Sequence, residues 1–417
     1  MNDIEVHISL EETTYRVGTL YRQAARGRES VSFSYHADWL VNTKRFSLEP
    51  GLRVGEGAFH PGSDREIFGA IGDSAPDTWG RRLMQRAERR LATHDSWPPR
   101  TLHEADYLLG VADVSRLGSL RFKYAADDEF QKPTGEGVPG FIKLGRLLES
   151  SQRIEQKNET DEDLSIIFAP GSSLGGARPK ASVVDTQGRL AIAKFPKESD
   201  DYSVEIWEHI ALVLAARAGI DVATHELQMV HGRHVLISWR FDRKEQQRIP
   251  FLSAMSLLQA KDSDRASYPE IVDELSQHGG NTKVDSLELF RRMVFNILVS
   301  NVDDHLRNHG FLWDGTHGWV LSPAYDLNPT PTDLKSRVLS TNISVDEGTC
   351  SIDLALSQAQ LFGLSLVSAR KIVAEVGQAV ATWREVSKAL GQNRREIERM
   401  ESAFEHADSV MASKMLS

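Results

Sequence analysis

Cysteine is nearly absent from the 417-residue chain: Cys350 stands alone, which excludes an internal disulfide. Long apolar runs are missing as well. Nothing approaches the stretch of about 18 residues that a membrane-spanning helix needs. The first residues, Met1-Asn2-Asp3-Ile4-Glu5, are acidic and carry no signal-peptide pattern. Internal repeats and long low-complexity tracts are absent too. Together these absences predict a folded cytoplasmic protein with no membrane partner. The formal net charge of -10 opposes loose electrostatic binding to nucleic acid. Arg81, Arg82, Arg86, Arg89 and Arg90 form one local basic patch, read as a solvated helix face. A zinc site is not expected, with one cysteine and scattered histidines. A Ser-His-Asp hydrolase is not expected either.

Composition is that of a globular protein, with 40% hydrophobic and 26% charged residues. The length predicts two or three units. Alternating runs at 5–10 and 15–20 predict a hairpin, and 31–35 another strand. A helix is expected over 77–92, capped by Ser74 or Asp77, with Trp79, Leu83 and Ala87 on one face. A short helix over 101–109 and a closing strand at 120–122 complete this part. Residues 126–140 are rich in Pro, Gly and charge and read as a linker. An amphipathic helix over 141–156 follows. The runs 182–184 and 190–195 flank a turn and predict a hairpin. A helix over 204–218 ends at Gly219, and 235–239 is a buried strand. Beyond it Leu287, Phe290, Val294, Ile297 and Leu298 recur at helical spacing. The region 352–417 is helical pattern throughout. The expected fold is α+β and two-lobed, protein-kinase-like, with a β-rich N-terminal subdomain over 1–125. A linker spans 126–140, an N-lobe 141–243, and an all-helical C-lobe 244–417.

The chemistry concentrates after that predicted helix, in Asn301-Val302-Asp303-Asp304-His305-Leu306-Arg307-Asn308, followed by Tyr325-Asp326. Asp303 is placed to take a proton from a hydroxyl. Asn308 and Asp326 could hold Mg2+ on a nucleotide. Upstream stand a Gly-rich turn, Gly171-Ser172-Ser173-Leu174-Gly175-Gly176, and a strand lysine, Lys194. In this order they are the working parts of a kinase-like phosphotransferase, which needs positioned nucleotide, neutralised phosphate charge and an aimed acceptor. Lys194 would pair with phosphates and needs an acidic partner on the next helix, Glu205 or Glu208. Asp304 is expected to face solvent. His305 is either a proton shuttle or a hydrogen-bonded histidine holding the loop.

These segments, with Arg178-Pro179-Lys180 and Trp239-Arg240-Phe241-Asp242-Arg243, resemble the HipA family of serine/threonine kinase toxins of bacterial type II toxin–antitoxin systems. Asp77-Thr78-Trp79-Gly80-Arg81 and the 113–122 segment extend the resemblance over nearly the whole chain. The resemblance implies ATP and Mg2+ as cofactors and Asp303 as catalytic base. It implies Asn308 and Asp326 as metal ligands, with Lys194 on the phosphates and Glu208 as its partner. Ser173, Gly175, His305 and Asn308 would line the nucleotide. Trp239 and Phe241 would form the adenine hinge, with Asp242 near the ribose. Ser173, or its neighbour Ser172, would be the site of self-inhibiting autophosphorylation. A protein substrate is implied, a translation component such as an aminoacyl-tRNA synthetase. So is a HipB-like helix-turn-helix antitoxin partner, through which operator DNA is contacted. The absence of His-Arg-Asp, Asp-Phe-Gly and Ala-Pro-Glu argues against activation-loop control. Two alternatives stay open: a small-molecule or lipid-headgroup kinase, and a catalytically idle co-repressor.

Overall fold

The computed structural model describes residues 3–25, 28–62, 65–131, 137–168, 176–262, 264–315 and 317–415. The chain divides into two compact units, Met1–Ser199 with Thr224–Leu252, and Asp200–Ala223 with Ser253–Ser417.

Among its described residues the first unit holds two four-stranded antiparallel sheets and a two-stranded pair, Arg243–Lys244 with Gln247–Arg248. One pairs β1 (Ile4–Leu10), β2 (Thr13–Ala25), β3 (Arg28–Tyr35) and β4 (Leu120–Tyr124) in the order β3-β2-β1-β4. The predicted hairpin closes with Leu10 opposite Thr13. Ile4, Val6 and Ile8 alternate into the core, as a strand's two-residue period requires. Gly18 is obligatory here, because a Cβ at this position would lie 2.3 Å from the Phe33 ring. The other sheet pairs β5 (Lys180–Val184), β6 (Leu190–Lys194), β7 (His225–Val230) and β8 (Arg233–Trp239) in the order β5-β6-β8-β7.

Helix Thr78–His94 starts at Asp77, whose Oδ1 accepts the Gly80 N–H at 2.8 Å, so Asp77 rather than Ser74 is the cap. Its face of Trp79 and Leu83 is buried, while Ala87 is only half-buried. That face shares one core with Leu144, Leu147, Val183, Ala193 and Ile237. The segment 126–140 therefore does not separate two cores as expected. Asp113 N–H donates to Gln131 and Val184 N–H to Pro139, tying its two ends to the body on either side. Three of the basic-patch arginines are internally paired, Arg81 to Glu104, Arg86 to Glu159 and Arg90 to Asp161.

Among its described residues the second unit is mostly helical rather than all-helical as expected, with one hairpin, Gly310–Trp313 against Trp319–Leu321. Helix Thr282–Val299 runs through it with Phe290, Met293, Val294, Ile297 and Leu298 fully buried. Leu287, expected on that face, is 39% exposed; Leu289 takes the inward place. Helix Val204–Arg217 also belongs to this unit, not to the β-rich part where it was expected. The reason is Trp207, which is fully buried, with the rings of Trp383 and Phe404 at 6.1 and 5.9 Å. Among the described residues no helix is long and apolar enough to cross a membrane.

One largely buried histidine is expected to make this unit acid-sensitive. His406 caps helix Ala407–Lys414, accepting Ser409 N–H at Nδ1 and facing the Leu298 carbonyl with Nε2 at 3.2 Å. Those roles need a neutral ring. Burial first, then Arg337, pushes its pKa down to about 4. A depressed histidine stabilises the fold above the unfolded pKa, and that contribution is lost as pH falls from about 6.5 to about 4. The loss approaches about 3 kcal/mol, at about 1.4 kcal/mol per pKa unit. Asp285, raised by burial to about 6, acts in the opposite sense, so a raw stability curve conceals part of the effect. Urea unfolding of wild type and His406→Gln between pH 4 and 7 isolates it: the advantage of wild type is expected to shrink towards pH 4.

Candidate active site

Helix Thr282–Val299 stops at Ser300, which adopts a left-handed conformation with φ 54°. Ser300 is anchored by its Oγ donating to the Ala403 carbonyl at 2.9 Å and by Arg337 Nε at 3.1 Å. The loop that follows sorts its two adjacent acids to opposite sides. The Asp303 side chain is 61% exposed, with Lys335 Nζ 3.2 Å from Oδ1. The Asp304 side chain is 2% exposed, against the expectation that it faces solvent. Tyr268 donates its hydroxyl to Asp304 Oδ2. His309 Nε2 lies 3.0 Å from Oδ1, without the alignment of a hydrogen bond. The backbone is pinned too, with Thr341 N–H on the Asp304 carbonyl and Ser340 Oγ on that of Val302.

His305 is half-buried, and its Nδ1 has no partner among the described residues. The loop is held instead by backbone, His305 N–H to Asp303 and Asn308 N–H to His305. Asn308 sits in the short turn Leu306–Asn308. Its Nδ2 donates to the Asp303 carbonyl at 3.2 Å, and its buried Oδ1 has no hydrogen-bond partner among the described residues.

The hairpin leads from this loop to Tyr325-Asp326-Leu327-Asn328. Tyr325 donates its hydroxyl to the Arg307 carbonyl at 2.6 Å, and Ala324 pairs with Val222. Asp326 has a left-handed φ of 58°, a conformation that favours glycine or asparagine and is held at a cost. Asn328 Nδ2 donates to Asp326 Oδ1 at 3.0 Å. A Mg2+ ion takes few protein oxygens and completes its octahedron with phosphate and water. A buried, unpartnered amide oxygen and a half-buried carboxylate fit that demand. Among the described residues no group of three His, Cys, Asp or Glu could hold a metal.

The β-rich unit carries the other predicted residues. Lys194 ends β6, half-buried, opposite Lys180 on β5 and Leu236 on β8. Ser172, Ser173 and Gly175 lie outside the described residues. Gly176, with φ 100°, accepts the Trp79 N–H. Lys180 Nζ is 3.0 Å from Asp77 Oδ2, both side chains 3% exposed. Residues 171–175 also spell Gly-x-Ser-x-Gly, so spelling alone does not exclude a hydrolase. The flanks do: a nucleophile elbow joins a strand to a helix, whereas here helix Asp161–Phe168 precedes and β5 follows. Trp239 is half-buried, donating Nε1 to Asp185 and its backbone N–H to Thr224. Phe241 is half-buried beside the Phe251 ring.

Asp242 does not fit a ribose contact. It is fully buried and accepts from Gly118 N–H, Arg240 and Arg243. Burial alone would raise its pKa, but the two guanidiniums and these hydrogen bonds outweigh it and hold it at about 2. Its oxygens are consumed in joining β8 to the 113–118 segment. Glu205 and Glu208 both lie buried on helix Val204–Arg217 of the other unit.

Three comparisons bear on this arrangement. The family described as HipA-like C-terminal domain matches residues 172–384. A Haemophilus influenzae protein whose kinase designation is itself an inference is 26% identical over 210 residues, 44% of this chain and 61% of that protein. Y4mE of Sinorhizobium fredii, with the same kind of designation, is 28% identical over 188 residues, 38% of this chain and 42% of that protein. The chain thus spans about half the length of these relatives. Among solved structures, HipA of Shewanella oneidensis, from a toxin–antitoxin complex with HipB and operator DNA, superposes with TM-score 0.69 at 17% identity. It covers 99% of this chain and 96% of that one, which shows a shared fold.

Proposed function

We propose, from the premise that the chain belongs to the family of HipA-like C-terminal domains, that it is an ATP-dependent protein serine/threonine kinase. The observation that carries this is the pairing of an exposed carboxylate, Asp303, with a buried and unpartnered amide oxygen, Asn308 Oδ1, on one short loop. Asp303 accepts the proton of the acceptor hydroxyl. Asn308 and Asp326 hold the metal. Mg2+, when bound there, supplies positive charge to the phosphates. Lys194 neutralises phosphate oxygens, and Glu208 is the acidic residue proposed to serve catalysis with it. Trp239 and Phe241 flank the adenine, and His305 borders the phosphates.

The proposed role is that of a toxin in a bacterial type II toxin–antitoxin module. The substrate would be a translation component such as an aminoacyl-tRNA synthetase, and a helix-turn-helix antitoxin would carry the contact to operator DNA. The complex in which the Shewanella protein was solved supports the partner class. Ser173 or Ser172 is the proposed autophosphorylation site. A doubly charged group there can be captured by basic side chains and remove the loop from nucleotide.

Intact mass before and after Mg-ATP tests the kinase reading, with Asp303→Asn in parallel and fragment mapping of residues 165–182. One added phosphate, about 80 Da, on Ser172 or Ser173 and absent from the variant is the expected result. Nucleotide binding without any phosphate transfer to the protein or to an added acceptor would sink it.

Lys335 was not singled out by sequence. Its ammonium, 3.2 Å from the proposed base, lies within reach of a phosphoryl group being transferred to a hydroxyl held at that carboxylate. The pair is exposed and contributes little to stability. Lys335→Ala is expected to lower kcat about tenfold with KM for ATP unchanged, as loss of one charge acting on the transition state. Lys335→Arg should retain most of the rate. An unchanged kcat in the alanine variant would remove Lys335 from the site.

A further inference from the structure

Asn301 opens the catalytic segment, yet it has no role in the chemistry above. It is buried in a continuous line of polar groups. Asn328 N–H donates to Asn301 Oδ1 at 3.1 Å. Asn301 Nδ2 donates to Asn296 Oδ1 at 3.0 Å. Asn296 Nδ2 donates to the Tyr268 hydroxyl at 2.9 Å, and Tyr268 donates to Asp304. Asn296, Asn301, Asp304 and Tyr268 are each at most 1% exposed.

Chemistry fixes the direction of every bond in this line. At one end a backbone N–H can only donate. At the other, burial first and then Asp304 push the Tyr268 phenol well above its ordinary pKa, so it keeps its proton and donates. Both amides must therefore present oxygen towards Asn328 and nitrogen towards Tyr268. A line satisfied in one sense only is a stiff connector, because flipping either amide leaves buried donors or acceptors unpaired. It reaches both loops of the site. Asp304 adjoins Asp303, whose carbonyl holds Asn308. Asn328, at the other end, holds Asp326 Oδ1 at 3.0 Å.

We infer that Asn301 is a positioning residue that sets the Asp326 turn against the Asn308 loop, so that their oxygens are spaced for one divalent cation. This rests on the reading of Asn308 and Asp326 as metal ligands. Supporting groups of this kind change metal affinity or activity by about 10- to 100-fold when removed.

The test is calorimetric binding of ADP to the full chain, in EDTA and across a Mg2+ titration. Wild type, Asn301→Ala and Asp326→Asn are compared, with thermal melting of each. Asn301→Ala is expected to bind ADP in EDTA as wild type does. The Mg2+ concentration that strengthens ADP binding half-maximally should rise about tenfold. An unchanged Mg2+ response in folded Asn301→Ala, with the response lost in Asp326→Asn, overturns the positioning role and leaves the ligand assignment standing. No Mg2+ response in wild type overturns both, since the line would have no cation site to set. Should Asn301→Ala fail to fold, Tyr268→Phe breaks the same line while keeping the ring. A wild-type Mg2+ response in that variant would equally overturn the proposal.

Discussion

Phosphate incorporation is expected to fall about a thousandfold on Asp303→Asn, with the melting temperature unchanged. A positioned general base typically contributes about 10²–10⁴ in rate, so the change adds about 4 kcal/mol to the barrier. The substitution keeps the shape of the side chain and removes its ability to accept a proton. Stability should not move, because the side chain is 61% exposed and its only described partner is the exposed Lys335. Single-turnover transfer from labelled ATP to the chain itself or to an added acceptor gives the rate. A variant transferring at the wild-type rate would show that the hydroxyl loses its proton elsewhere, and the proposed mechanism would fail with it.

The second large effect is on the fold. Trp207→Ala should destabilise the helical unit by about 4 kcal/mol, in the range found for deleting a buried large aromatic. Trp207 is fully buried beside Trp383 and Phe404, which stack on one another at 4.7 Å and 8°, and its Nε1 donates to Glu396. Removal opens a cavity against two rings that cannot both collapse into it. The next residue is Glu208, so the proposed partner of Lys194 loses its footing as well. Hydrogen exchange along helix Val204–Arg217 is the measurement, since a two-unit chain need not unfold in one step. Protection there should drop while β5 to β8 stay protected. Undiminished protection along the helix would mean that the tryptophan cluster does not hold it.

The placement of the proposed site residues on their elements was legible in the sequence, because each lies where a periodic run ends: Lys194 at a strand's end and Asn301 just after a helix. Which of two adjacent acids faces solvent was not. Asp303 and Asp304 are alike as letters, and the difference is made by Tyr268, distant in sequence, which offers a hydroxyl to one of them. Asp242 was misleading for a related reason. A carboxylate beside the expected hinge looks like a ligand contact until Arg240, Arg243 and Gly118 are seen to consume its oxygens. Lys335 left no signal at all. A lysine in a polar loop is ordinary, and only the folded chain brings it to Asp303.

Periodicity did better with elements than with boundaries. The helix over 204–218 followed a β-hairpin and so was grouped with it, but a tryptophan facing the far C-terminus decides where a helix belongs. Likewise the Pro- and Gly-rich segment at 126–140 looked like a seam, although residues on both sides of it bury against each other.

That shared core separates two things usually treated as one, the portion of a chain that evolution keeps recognisable and the portion that can fold. The family match begins at residue 172, yet β5 and β6 are covered from one side by Trp79, Leu83 and Leu147. It ends at residue 384, between two rings of a stack, Trp383 and Phe404. Cut out at those limits, residues 172–384 would lose the apolar cover of the sheet and one ring of the stack.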